Sequence, residues 1–148
     1  MIDTYCRRAI ASFRRIPEAA PRWLRPPEVI PGVIASDVDK FDQAYGQSAN
    51  DQIFGHSPIP ASLGQTSIGA FFSDMTYYTD ASTGAGVLDT GTNNWIPALD
   101  DRSGCHPGGI CEATMVQRIT GNILKIFGQG PAARLQPSVP NWQQVTGQ

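Results

Sequence analysis

The stretch from Phe71 to Asp101, FFSDMTYYTDASTGAGVLDTGTNNWIPALDD, constrains the fold more than any other part of the chain. Phe71 to Thr79 is dense in aromatic and β-favouring residues, which suit a pleated, half-buried surface. Asp80-Ala81-Ser82-Thr83-Gly84 is a turn by composition, because Asp and Ser offer local hydrogen bonds and Gly accepts positive φ. Ala85 to Thr90 reads as a second short strand. The small residues and side-chain amides that follow are a place for backbone to approach a ligand, so Thr92, Asn93, Asn94 and Trp95 form a candidate ligand-binding loop.

A chain of 148 residues is one domain by length and can bury a sizeable core. Gly and Pro together supply 27 residues, about 18% against roughly 12% on average. Charged residues make up 16%, against about 25% in typical domains. Such a chain is loop-rich and lightly charged, as expected of a piece of something larger with surface meant to be covered. The net charge of −2 argues neither for nucleic acid nor for acidic membrane surfaces, so neither is expected as a partner. No apolar run reaches the roughly 18 residues of a membrane span. The start, MIDTYCRRAIASFRRIPEAAP, lacks the continuous apolar segment of a secretory signal, so the default is cytoplasmic. A fragment of a secreted protein would look the same.

Residues 2–16 carry an amphipathic helix pattern, with Ile2, Tyr5, Cys6, Ala9, Ile10, Phe13 and Ile16 on one face and Arg7, Arg8, Arg14 and Arg15 opposite. Five prolines between 17 and 31 make the next segment an extended connector. Val29 to Ala35 is a short strand candidate that runs into Ser36-Asp37-Val38-Asp39-Lys40. Carboxylates just beyond a strand make Asp37 and Asp39 candidate catalytic residues, because ligands in α/β sheets sit outside the strands' carboxyl ends. Residues 41–51 are polar loop. Ile53 to Leu63, holding Gly55, Pro58 and Pro60, is an irregular or edge strand. His56 there reads first as a hydrogen-bonded or surface histidine.

Glu112 to Phe127 is the clearest helix. Met115, Val116, Ile119, Ile123, Leu124, Ile126 and Phe127 cover one face, and Gln117, Arg118, Asn122 and Lys125 the other. It must dock on something, and the strand pair is the nearest apolar surface. The tail beyond 133, with Pro137, Pro140 and polar residues, reads as a flexible extension.

Known catalytic constellations are absent. There is no Gly-x-Ser-x-Gly elbow, Walker loop or His-Glu-x-x-His, and Gly84-x-Gly86 precedes a strand and not a helix. Cys105 and Cys111 flank a small loop that holds either a disulfide or two thiols. Tyr77, Tyr78 and a carboxylate such as Asp37 are hard oxygen donors suited to ferric iron. Strand alternation nevertheless puts the two tyrosines on opposite faces.

Ser73-Asp74-Met75-Thr76-Tyr77-Tyr78, the run from Gly84 to Trp95, and Ala98-Leu99-Asp100 resemble the carboxyl-terminal domain of N,N-dimethylformamidase large-subunit-like proteins. The helix Val116–Leu124 and the run Phe127–Ala132 are similar to that domain's end. The resemblance spans residues 29–133, leaving 1–28 as an N-terminal helix with its connector and 134–148 as a flexible tail. It implies an α/β fold: part of a three-layer domain like class I glutamine amidotransferases, with a mixed sheet, an N-terminal helix and a C-terminal helix. It further implies an amidohydrolase-related segment, inactive by itself, with iron as cofactor and a homo-oligomer or a larger chain completing the sheet. Two other readings stand beside it: a non-catalytic interaction module using the 92–95 loop, and a carbohydrate-related protein by analogy with trehalose-utilisation proteins of similar fold.

Overall fold

The computed structural model describes residues 11–14, 29–34, 38–46, 48–60, 71–100 and 112–147. Strands β1 (Ala11–Arg14) and β2 (Val29–Ile34) form an antiparallel pair. Strands β3 (Gln52–Ile59), β4 (Phe71–Thr79) and β5 (Gly86–Asp89) form an open antiparallel sheet in that order. Helix α1 (Glu112–Phe127) and two short helices, α2 (Ala132–Leu135) and α3 (Trp142–Thr146), follow. The chain is therefore α/β in content. Among the described residues no helix is long and apolar enough to cross a membrane.

The expected hairpin forms, and Asp80 makes its turn. One carboxylate oxygen, Oδ1, accepts from the backbone N–H and hydroxyl of both Ser82 and Thr83, at 2.6 to 3.1 Å. These bonds, the two hydroxyls first, hold the Asp80 carboxyl down at about 2. The register then places Thr76 opposite Asp89 and Tyr78 opposite Val87.

One face of the sheet is apolar. Phe54, Met75 and Tyr77 meet Ile30, Val33 and Ile34 of β2 and Val116, Ile119 and Ile123 of α1 in a single core. Of the stripe read from the sequence, Val116, Ile119 and Ile123 dock where expected with Met115 and Phe127 packed against them, whereas Leu124 is 64% exposed. Trp95 joins this core and donates its indole N–H to Thr120 Oγ1 at 3.0 Å.

Three expectations are corrected. The N-terminal helix expected over 2–16 does not run through Ala11–Arg14, which pair with β2 as a strand. Ladder bonds to a β-branched partner outweigh the modest helix propensity of Ser and Phe. The mixed sheet is also not found, since every pairing among the described strands is antiparallel. Finally, the segment 134–148 is not a loose tail but a strap along the sheet (Gln148 lies outside the described residues). Tyr77 donates its hydroxyl to the Gln136 carbonyl at 2.8 Å, and Thr79 and Ser138 bond each other twice through backbone N–H groups and hydroxyls. Gln52 Oε1 accepts from Val139 N–H at 3.0 Å.

The tightest strap contact is at Ile53, beside the bulge that separates Ile53 from Gly55 in the β3–β4 register. There Asn141 acts as a substitute strand residue. Its Oδ1 accepts from Ile53 N–H at 2.6 Å and its Nδ2 donates to the Ile53 carbonyl at 2.9 Å. Removing both partners leaves two backbone groups of a buried residue unpaired. Asn141→Ala is therefore expected to lower unfolding free energy by about 2 kcal/mol, read by urea denaturation. An unchanged midpoint would show that the strap does not support the sheet.

Candidate functional site

The other face of the sheet is polar. Successive side chains alternate along a strand, so Asp74, Thr76 and Tyr78 leave β4 on the side opposite Met75 and Tyr77. Asp74, only 1% exposed, sits directly across from His56 on β3. Asp74 Oδ1 and His56 Nδ1 are 2.6 Å apart, and Oδ2 accepts from the Phe41 N–H at 2.9 Å. The imidazole stacks on Phe72 with ring centroids 3.9 Å apart.

The backbone of Asp74 is held as firmly as its side chain. Its N–H donates to the Asp39 carbonyl at 2.8 Å, and Asp39 N–H donates to the Gly91 carbonyl at 3.1 Å. The Ser73 hydroxyl donates to that same Gly91 carbonyl at 2.7 Å. Gly91 adopts φ +73°, and a Cβ there would stand 2.5 Å from the Asp74 carbonyl oxygen. Only glycine lets the chain cross so close to the Asp74 backbone.

Further along this face a cleft of about 420 Å³ is lined by Gly46, Ser48, Asp51, Thr76, Tyr78, Val87 and Asp89. That volume lies within the range of small-molecule sites. Asp51 is buried, and burial pushes its carboxyl up to about 6 against a smaller opposing effect of the Ser48 backbone N–H. Asp89 is raised as well, chiefly by burial, against the Gly91 N–H it accepts, with the charge of Asp39 adding to the rise. Asp89 keeps substantial residue surface in solvent, so Asp51 is the stronger case. No cationic side chain lines the cleft among the described residues.

The residues singled out in the sequence fall in different places. Asp37 and the Cys105–Cys111 loop lie outside the described residues. Asp39 is exposed and contributes backbone bonds and its charge. In the 92–95 loop, Thr92 and Trp95 are buried, Asn94 donates to the Val33 carbonyl at 3.1 Å, and Asn93 is exposed. This loop closes on the core more than it opens to solvent. Tyr77 and Tyr78 point to opposite faces, Tyr77 into the core and Tyr78 into the cleft.

Sequence reasoning missed Asp51 and the pairing of His56 with Asp74. One signal was available: a carboxylate within the apolar run FFSDMTYY demands a polar partner once buried. Nothing local names that partner, which comes from the β3–β4 register.

A family profile described as N,N-dimethylformamidase beta subunit-like, C-terminal, matches residues 17–107, well over half of the chain. The chain belongs to this family. No curated protein matches it. The dimethylformamidase-like match includes β2 to β5, the His56–Asp74 pair and the cleft, while α1 and the strap lie beyond it.

The iron implied by the dimethylformamidase resemblance calls for converging oxygen donors. Tyr77 and Tyr78 do not supply them together. Tyr77 is buried with its hydroxyl on the Gln136 carbonyl, and burial pushes that phenol above its ordinary value, away from phenolate. Among the described residues no group of three His, Cys, Asp or Glu side chains converges as a metal cluster. A tyrosine pair on one ion does not fit this strand.

Asp51 makes the cleft testable through stability. Its folded-state value near 6 lies above the ordinary 3.8, so the native state holds this proton more tightly than the unfolded chain. The resulting stabilisation is full below the unfolded value and is lost as pH rises through about 6, a drop of roughly 2–3 kcal/mol. Asp51→Asn is expected to flatten this part of the profile between about pH 4 and pH 7, measured by urea denaturation at each pH. A variant profile parallel to wild type would remove Asp51 from the account.

Proposed function

We propose that the polar face is the small-amide site of an amidohydrolase-related segment, and that the cleft receives the amide. The observation that carries this is Asp51: a buried carboxyl held near 6 in a cleft that Tyr78, Thr76 and Asp89 also line. The family's description supports hydrolysis of an amide C–N bond as the reaction class to test, and N,N-dimethylformamide is the simplest probe.

In this reading the Tyr78 hydroxyl donates to the amide carbonyl oxygen, and Val87 and the Tyr78 ring give the alkyl groups an apolar wall. A water from the open cleft bonds to the carbonyl carbon and loses a proton to solvent, and Asp51 delivers a proton to the nitrogen as the C–N bond breaks and its electron pair leaves with the amine. A carboxyl near 6 retains a protonated fraction close to neutral pH, which a general acid needs. Asp89, with Asp39 behind it, favours the ammonium ion that forms when the released amine takes a further proton from solvent. Asp37 and iron take no step here.

The glutamine-amidotransferase-like layering belongs to the same proposal. Helix α1 covers one face of a sheet whose edge strand, β5, has no described strand beside it, a place for a second copy or a larger chain to complete the sheet.

The test is an NMR titration of the purified chain with N,N-dimethylformamide, following backbone shifts and free formate. Saturable shifts at Thr76, Tyr78 and Val87 are expected, with formate released above the protein-free blank. Asp51→Asn should bind equally and release formate roughly 100-fold more slowly. Saturable binding without formate would indicate a non-catalytic binding module. Absence of saturable shifts would remove the amide reading.

A further inference from the structure

The His56–Asp74 pair lies outside the cleft lining and is not used by the reading above. We infer that it is a general-base dyad whose working atom is His56 Nε2. In the tautomer that carries its ring proton on Nδ1, His56 donates that proton to Asp74 Oδ1 across 2.6 Å and keeps the Nε2 lone pair. Asp74 cannot swing away, because its other oxygen holds the Phe41 N–H and its backbone is bonded to Asp39. Phe72 covers one face of the ring.

The imidazole is thus fixed at one edge and one face, yet its side chain remains 21% exposed while that of Asp74 is 1% exposed. Nδ1 is turned to the buried carboxylate, and Nε2 lies on the far side of the ring from it. Among the described residues nothing hydrogen-bonds Nε2. The orientation of a base by a buried carboxylate behind it is the arrangement that general-base catalysis requires.

The chemistry is activation of water against an ester or amide carbonyl. Nε2 takes a proton from water as the water oxygen bonds to the carbonyl carbon. The bond from carbon to the leaving group then breaks, its electron pair departing with that group. The imidazolium returns its proton to solvent or, for an amide, to the leaving nitrogen. Asp74 is a positioning residue.

p-Nitrophenyl acetate tests this without relying on the amide reading, because its leaving group needs no general acid. The folded wild-type chain is expected to hydrolyse it roughly 100-fold faster than an equal concentration of N-acetylhistidine. His56→Ala should fall to the blank, and Asp74→Asn should lose most of the rate. The second readout is the ¹⁵N NMR spectrum of the His56 ring: a single Nδ1–H tautomer in wild type, and mixed tautomers in Asp74→Asn. A wild-type rate no better than N-acetylhistidine, or a His56→Ala variant that retains the rate while folded, would overturn the dyad. Loss of N,N-dimethylformamide binding with intact His56-dependent ester hydrolysis would overturn only the amide reading.

Discussion

A carboxylate that is 1% exposed, in the middle strand of a sheet, sets the terms for everything around it. Leaving such a group with one partner removed costs on the order of 3–5 kcal/mol, so Asp74 requires both His56 and the Phe41 N–H. The first requirement fixes the register of β3 against β4. The second draws residues 38–46 across the polar face, where Val38 pairs with Thr92 and Asp39 bridges Gly91 and Asp74. Phe41 then carries the constraint outward, because its buried ring stacks on Trp142 with centroids 5.4 Å apart. A single residue holds the dyad with its backbone and the C-terminal strap with its side chain.

The strap, in turn, shapes the cleft. Trp142 donates its indole N–H to the Ala49 carbonyl at 3.3 Å, and Val139 N–H reaches Gln52. These contacts lie on either side of Asp51, whose own N–H donates to the Ser48 carbonyl at 3.1 Å. The segment that carries the raised Asp51 carboxyl is therefore anchored on both sides by the far end of the chain. The two polar features of this face share that support: Asp74 and His56 through Phe41, and Asp51 through Ala49 and Gln52.

Local pattern carried the sequence reading as far as local interactions decide the structure. The β4–β5 hairpin was legible because Asp80, Ser82, Thr83 and Gly84 specify the turn by themselves, and α1 because its apolar stripe repeats at helical spacing. The family was legible from the run between Ser73 and Asp100. What could not be read depends on contacts between distant residues. Ala11–Arg14 show helical spacing but pair with β2. The proline-rich, polar composition of 134–147 suggested a loose tail, yet Asn141 finds its partners 88 positions upstream. The site followed the same rule, since His56 and Asp74 meet only through strand register and Asp51 gains its character only from what packs around it.

The family match covers residues 17–107 and so takes in every polar group discussed for the site. It does not take in what supports them. Without the strap, Ile53 would lose the Asn141 side chain that pairs with both its N–H and its carbonyl at the bulge. Without α1, the Phe54, Met75 and Tyr77 face would lose Val116, Ile119 and Ile123. In this chain the dimethylformamidase-like segment is thus one side of a packing problem solved by residues after it. Chemistry on the polar face and order on the apolar face depend on the same three strands, so a lesion at Asn141 or in α1 would reach the site through β3 and β4 without touching any group that faces a ligand.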